Sequence, residues 1–412
     1  MAFAALIAAY QETEDREGGL RALLPMAGRS LLEHQVRRAM AAGASHAVVL
    51  VERIPAALNA ALDRLRRDGI AVTLARDPMD AADHFHPEEH VLLVADGLVA
   101  APDCFDAMAA RASPALLVVS DVPANEHFER VDAEKRWAGL ALTNVETIAA
   151  TAQMLGDWDL QSTLMRRIVQ GGADFLPIDG EAGVVAEASE AVVLAERSEK
   201  SRDAGKAMLS RNRLHTMSWP EHFLYGRGLS LLAPLLLDFR IEAFWLRVAA
   251  ILLSLLGAAA LWWGWQWTGL VLLLLAGPID ATAGRIDLAQ LRSHDGGWEV
   301  RYAKGLAQAL AILALGHFAA RSSGENGYFV MAAAAVALLV FTSREMALFR
   351  RIGPEKQRLL PWMIDGNAAI WLALPFAAAG QWNWWPLGIA VYASISLFLL
   401  QNSIREAVRQ RD

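Results

Sequence analysis

The chain has 412 residues, enough for two or three domains, with a net charge of −7 and a hydrophobic fraction of 55%. The acidic balance, with no basic stripe interleaved with aromatics, argues against nucleic-acid binding. Cys104 is the single cysteine, so internal disulfides and a cysteine metal cage are excluded.

The mean hydropathy of +0.27 is high for a soluble protein. The excess sits in one half: residues 1–220 mix charged and apolar residues, whereas 244–400 carry long runs of Ala, Leu, Val and Trp with few charges. Residues 1–10 are apolar but short, lack a basic flank and are followed by the charged run 12–17. They read as a buried first strand and not as a signal peptide. Segments 2–9, 47–51, 91–95 and 116–120 are short and apolar, as buried parallel strands are. Between them, 30–43, 56–69 and 103–111 have helical spacing. Strands alternating with helices predict an α/β doubly wound sheet, whose ligands bind at the carboxyl ends of the strands. Asp96 stands directly after 91–95 and is followed by Gly97. It is either a carboxylate placed to hold a divalent metal on a nucleotide phosphate or one half of an ordinary Asp-Gly turn.

The second half predicts an all-α polytopic membrane domain of about six transmembrane helices, at 244–263, 266–279, 302–320, 328–342, 366–380 and 384–400. Positive charge alternates between its loops. Arg285, Arg292, Arg301 and Lys304 lie on one, and Arg344, Arg350, Arg351, Lys356 and Arg358 on another. Arg405, Arg409 and Arg411 lie on the tail, while the intervening loops are nearly free of it. The positive-inside rule places both termini in the cytoplasm, and the clusters Trp262, Trp263, Trp265, Trp267 and Trp382, Trp384, Trp385 suit the outer interfacial belt. Residues 219–240, rich in Leu with Arg227 and Arg240 near the ends, predict a helix lying in the cytoplasmic interface or packed beneath the bundle. The expected organisation is an α/β domain over 1–200, a linker with interfacial helix over 201–243, and a transmembrane domain over 244–412.

Two resemblances refine this reading. The run Leu23-Leu24-Pro25-Met26-Ala27-Gly28-Arg29-Ser30-Leu31-Leu32-Glu33-His34, then Ala42-Gly43-Ala44, resembles the start of GT-A type sugar-phosphate nucleotidyltransferases. Residues 91–97 resemble their metal-Asp strand, and 156–164 a later segment. The resemblance implies a nucleotide-binding loop at 9–16, a phosphate-binding position at Arg21, a metal ligand at Asp96 and a second acid near Glu187. In this chain 9–16 has no glycine and carries Glu12, Glu14 and Asp15. Glycines there let backbone N–H groups approach phosphate, and acids repel it. The fold is expected with little or no transfer activity.

The stretch beginning at Asp280 resembles the membrane motif of CDP-alcohol phosphotransferases, D-x-x-D-G-x-x-A-R followed by G-x-x-x-D-x-x-x-D. Gly284 and Gly297 match its glycines. The second Asp is Ala283, the Ala-Arg pair is Asp287-Leu288, and the last two Asp are Arg301 and Gly305. The resemblance implies a carboxylate site for Mg or Mn, of which Asp280 alone remains in register. Asp287, Asp295 and Glu299 are acids that could rebuild a site around it. Arg285, Arg301 and Lys304 offer another use of the loop, direct binding of a phosphate-bearing lipid or a CDP-alcohol without metal. Their alternative reading is ordinary positive-inside charge.

An α/β domain followed by such a bundle resembles bifunctional inositol-phosphate cytidylyltransferases fused to phospho-inositol-phosphate synthases. By that resemblance the chain is expected to be a homodimer in the cytoplasmic membrane, acting in phospholipid or polar-lipid headgroup metabolism. It would serve either as a transferase of a phospho-alcohol or as a non-catalytic, lipid-binding scaffold. Nearly charge-free spans make a transporter the least favoured reading.

The loop charges lead to a test of topology. In a background lacking Cys104, Glu325→Cys is expected to react with an impermeant maleimide in intact cells. Labelling only after permeabilisation would contradict the orientation.

Overall fold

The computed structural model describes residues 3–112, 114–155, 158–178, 192–211, 218–226, 228–229, 243–289, 298–352 and 360–409. Side chains at 208–211, 288–289, 298–301, 350–352 and 406–409 fall outside that description. Two compact units divide the chain, one of Met1–Met208 and one of Leu209–Ala289 with Ser293–Asp412.

In the first unit the apolar runs become strands β1 (Phe3–Ala8), β2 (Ala44–Leu50), β3 (Val72–Ala75), β4 (His90–Val94), β5 (Leu98–Ala100), β6 (Ala115–Ser120), β7 (Lys135–Asn144), β8 (Asp174–Pro177) and β9 (Val192–Leu194). Seven form one sheet in the order β8-β6-β7-β4-β1-β2-β3. Neighbours are parallel except where β7 runs against both β4 and β6. β1 is buried along its whole length, as a central parallel strand covered on both faces must be. Helix α1 (Leu31–Ala41) starts where the sequence marks it, with Ser30 and Glu33 forming a reciprocal capping box. Helix α2 (Ala56–Arg67) buries Leu58, Ala61, Leu62 and Leu65 at helical spacing. The chain fills the sheet from β1 outwards through β2 and β3, then returns to set β4 on the other side of β1. That reversal is a topological switch point. It opens a crevice at the carboxyl ends of β1 and β4, where ligands of open α/β sheets bind. The α/β architecture expected from the sequence is therefore present.

The second unit is all-helical. Among the described residues, five helices are long and apolar enough to cross a membrane, over Ala243–Trp262, Gln266–Asp287, Tyr302–Ser323, Gly327–Phe349 and Trp382–Arg405. They match five of the expected spans, and the second runs on to Asp287, so that Asp280 lies inside a span, as Lys304 does in the third.

The sixth expected span, 366–380, is different. It forms two short helices, Gly366–Trp371 and Ala373–Ala378. Pro375 has no N–H to give the carbonyl of Trp371, which breaks the helix. Together Gly366–Ala378 would measure about 20 Å as a helix, short of the ~30 Å hydrocarbon core. The expected helix over 219–240 is described only in part: 219–226 and 228–229 are helical, with Glu221–Tyr225 making a π-helical turn, while 227 and 230–240 lie outside the described residues.

Helices Ala243–Trp262 and Gln266–Ala289 meet through two glycines. A Cβ on Gly269 would stand 2.9 Å from the carbonyl oxygen of Gly257, and one on Gly257 would stand 3.0 Å from that of Gly269. Backbones touch here, the arrangement by which small residues hold membrane helices together. Gly269→Val is expected to destabilise the detergent-solubilised chain by about 1–3 kcal/mol through overpacking. Gly284→Ala, which meets open space, should leave stability unchanged or raise it by up to about 1 kcal/mol. Thermal unfolding followed by circular dichroism distinguishes the two.

Candidate functional site

Each unit holds one candidate centre. In the first it lies at the switch-point crevice. Asp96 follows β4 and is 1% exposed. Its Oδ2 accepts hydrogen bonds from the backbone N–H groups of Tyr10 at 2.8 Å and Gln11 at 2.7 Å, which directly follow β1. Its own N–H donates to Gln161 Oε1 at 3.0 Å. Gln161 Nε2 donates to the Tyr10 hydroxyl at 2.9 Å, and that hydroxyl donates to Asp159 Oδ1 at 2.6 Å. Burial pushes the Asp96 carboxyl up to about 7, against the downward pull of the Gln11 and Tyr10 N–H groups and of Arg21. Burial, then the Asp159 charge, also raises the Tyr10 phenol.

Gly97 takes φ +79, and a Cβ there would meet the carbonyl of Ala195 at 2.8 Å. The Asp-Gly turn reading thus holds, since the glycine makes the turn, and the Asp96 carboxylate lies buried at the crevice.

The loop after β1 is held by its own acids. Glu12 pairs with Arg53 at 2.7 Å and Glu14 with Arg197 at 2.7 Å, and Asp15 accepts from the Ser198 N–H. Thr13 Oγ1 donates to the carbonyl of Glu196 at 3.0 Å. Arg21 donates to Gln11 Oε1 at 2.9 Å and lies 3.4 Å from Glu196. Backbone N–H groups that would face phosphate in a nucleotide-binding loop are turned on Asp96 instead, and the segment after β9 is fastened across the loop. The acid expected near Glu187 lies outside the described residues.

In the second unit, Asp280 sits on the helix Gln266–Ala289. Lys304 Nζ, on the helix Trp298–Ser323, donates to its Oδ2 at 2.7 Å and to Asn367 Oδ1 at 3.0 Å; Gln308 Nε2 also donates to Asn367 Oδ1, at 3.1 Å. Arg285, 7% exposed, donates to the carbonyl of Gly226 at 3.1 Å and lies 3.7 Å from Glu221. Burial holds the Glu221 carboxyl above the usual carboxylate range, with Asp365 and Asp280 adding to it and Arg285 and Lys304 opposing.

Asp287, expected beside Asp280, instead pairs with Arg247 at 2.5 Å. Gly284 borders open space. Arg301 lies on the helix Trp298–Ser323 with its side chain undescribed, and Gly297 lies outside the described residues. Sequence reading missed Glu221, Tyr225, Gln308, Asp365 and Asn367. The one signal for them was the polar run Asp365-Gly366-Asn367 at the head of an apolar segment.

A divalent metal needs several carboxylates converging on one point. Among the described residues no group of three His, Cys, Asp or Glu side chains does so. A lysine ammonium stands where a cation would meet Asp280. The described residues do not fit the metal that the motif resemblance implies; Asp295 and the Glu299 side chain lie outside that description.

Comparison with solved structures finds a likeness to a CTP:phosphocholine cytidylyltransferase from Streptococcus pneumoniae. It is 11% identical over 50% of this chain and 100% of that one, with a TM-score of 0.36. No family model and no curated protein matches the chain. The placement of the candidate site follows from the sheet order and not from that likeness. The chain is an α/β sheet domain followed by a helical domain of the membrane-spanning type.

Asp96 supplies a test by pH. Its folded value of about 7 lies above the ordinary 3.8, so the folded state binds more protons between roughly pH 4 and 7 and stability falls as pH rises through that window. Hydrogen exchange of peptides covering β1 and β4, corrected for intrinsic rates, should show greater protection at pH 5 than at pH 8. Asp96→Asn should flatten the difference.

Proposed function

We propose that this chain is a membrane protein of phospholipid or polar-lipid headgroup metabolism. Its architecture is of the CDP-alcohol phosphotransferase type, and it acts as a non-catalytic lipid-binding partner. One observation carries the reading: Lys304 Nζ lies 2.7 Å from Asp280 Oδ2. The last carboxylate in register with the motif has an internal cation as its partner. In a transferase of this class, divalent cations offset the diphosphate charge; an ammonium fixed by Asp280 and Asn367 cannot coordinate a diphosphate in that way. The first unit supports the same reading, since Asp96 Oδ2 accepts two N–H groups of the loop that would otherwise face phosphate. The alternating loop charge supports a cytoplasmic-membrane location with both termini inside, an orientation that requires the segment 360–380, with its short helices, to complete a sixth crossing; a homodimer is proposed by resemblance alone.

A transferase remains the second reading, favoured by the buried Asp96 Oδ1, which has no hydrogen-bond partner among the described residues. The full-length chain in nanodiscs, supplied with Mg²⁺ and CTP plus inositol phosphate, or with CDP-diacylglycerol plus inositol phosphate, is expected to release neither pyrophosphate nor CMP above background. Turnover abolished by Asp96→Asn or Asp280→Asn would establish the enzyme instead.

A further inference from the structure

Buried polar groups in folded proteins almost always have partners, and each exception needs a reason. In the second unit four such exceptions lie near one another. Arg285 Nε, the Tyr225 hydroxyl and Trp371 Nε1 are buried donors without hydrogen-bond partners among the described residues, and Glu221 Oε1 is an acceptor in the same state.

These groups occupy one region. The Tyr225 and Trp371 rings lie 6.0 Å apart, and Arg285 Nη2 is 3.7 Å from Glu221 Oε1. Gly277 has the Tyr225 hydroxyl and Asn367 Oδ1 at 3.5 and 3.6 Å from the place a Cβ would take, and Asn367 Oδ1 accepts from Lys304. The glycine therefore keeps a methyl-sized space open between an unpartnered hydroxyl and the Lys304–Asn367 pair.

The chemistry of a guest follows from this inventory. Donors outnumber acceptors, so the guest must be rich in acceptor oxygens. A cation would meet Arg285 and Lys304. The competing carboxylates are already engaged, Asp280 by Lys304 and Asp365 by the N–H of Ala368 at 2.7 Å. Glu221 faces Arg285 at 3.7 Å, and burial, with Asp365 and Asp280, raises its carboxyl above the usual carboxylate range, which weakens its opposition to an anion. A phosphate group offers acceptor oxygens on all sides and pairs with guanidinium and ammonium groups through strong, charge-assisted hydrogen bonds.

We propose that Arg285, Tyr225 and Trp371, with Lys304 behind them and Gly277 leaving the space, form a metal-independent binding site for a phosphate group. That group belongs either to a lipid headgroup or to a soluble phosphate ester. The choice of ligand class rests on the reading of the chain as a headgroup-binding protein, while the site itself rests on the unpartnered donors.

The test uses the full-length chain in maltoside detergent with EDTA, titrated in one arm with inorganic phosphate and in the other with phosphatidic acid in mixed micelles. Binding is followed by phosphorus NMR. Saturable binding in EDTA is expected in at least one arm: phosphatidic acid alone would assign the lipid source, and inorganic phosphate would assign the soluble one. Tyr225→Phe removes a hydroxyl that has no partner, and Gly277→Ala fits at ordinary contact distances while filling the space. Each is expected to weaken binding roughly tenfold without lowering the melting temperature of the unliganded chain. Failure of wild type to bind either probe, or binding unchanged in both variants, would overturn the site. Phosphate binding here together with CMP or pyrophosphate release in the separate nanodisc assay, which supplies Mg²⁺ and the cytidine nucleotide, would overturn the non-catalytic reading and leave the site standing.

Discussion

A carboxylate inside a helical bundle of low dielectric needs a counter-charge close by, and the bundle of the second unit is arranged around one such need. Asp280 stands on a long apolar helix, and Lys304 reaches it from the next helix at 2.7 Å. Lys304 is nearly buried and Asp280 partly so, and removing one partner of such a pair leaves an uncompensated charge, which is more damaging than losing the pair as a whole. The pair therefore constrains its surroundings. Lys304 also holds Asn367, Gln308 shares that residue's oxygen, and a Cβ on Gly366 would collide with Gln308 Oε1 at 2.0 Å. The short helices over Gly366–Ala378 are placed by this polar lattice together with the break at Pro375. Arg247 and Asp287 repeat the principle on the same helix.

The first unit meets a similar demand by other means. Asp96 is enclosed at the crevice where the sheet reverses direction, and it is served by backbone dipoles of the loop that follows β1 and not by a side-chain cation. The acids of that loop, which at first suggest only repulsion of phosphate, each have a structural partner in Arg53, Arg197 or Ser198. In both units a carboxylate that a metal-dependent enzyme would present to its ion is answered from within the chain. This shared pattern is the physical basis for reading the protein as a binder.

Much of the fold is legible in the sequence because it is set locally. Short buried strands, the Ser30–Glu33 capping box and five apolar spans all announce themselves within a window of a few residues. Asp96 was legible by its position after a strand. The interior partners were not. Thr13 and Glu14 meet Glu196 and Arg197 across 183 residues, and no local pattern encodes such a pairing. The break within the sixth expected span was hidden because hydropathy counts Pro375 as one residue among many, whereas its missing N–H divides the helix. Asp287 was expected beside Asp280, but seven positions separate them on one helix and Arg247 is the nearer charge. Tyr225, Asn367 and Glu221 lie outside every motif and gain meaning only from what surrounds them.

The central claim is that Lys304 serves Asp280 in place of a divalent ion. Titration of Mn²⁺ into the full-length chain in nanodiscs, followed by electron paramagnetic resonance, measures this directly. The account predicts only weak, non-saturating binding that is the same in wild type and in Asp280→Asn. A tight, stoichiometric Mn²⁺ site in wild type that is lost in Asp280→Asn would contradict it.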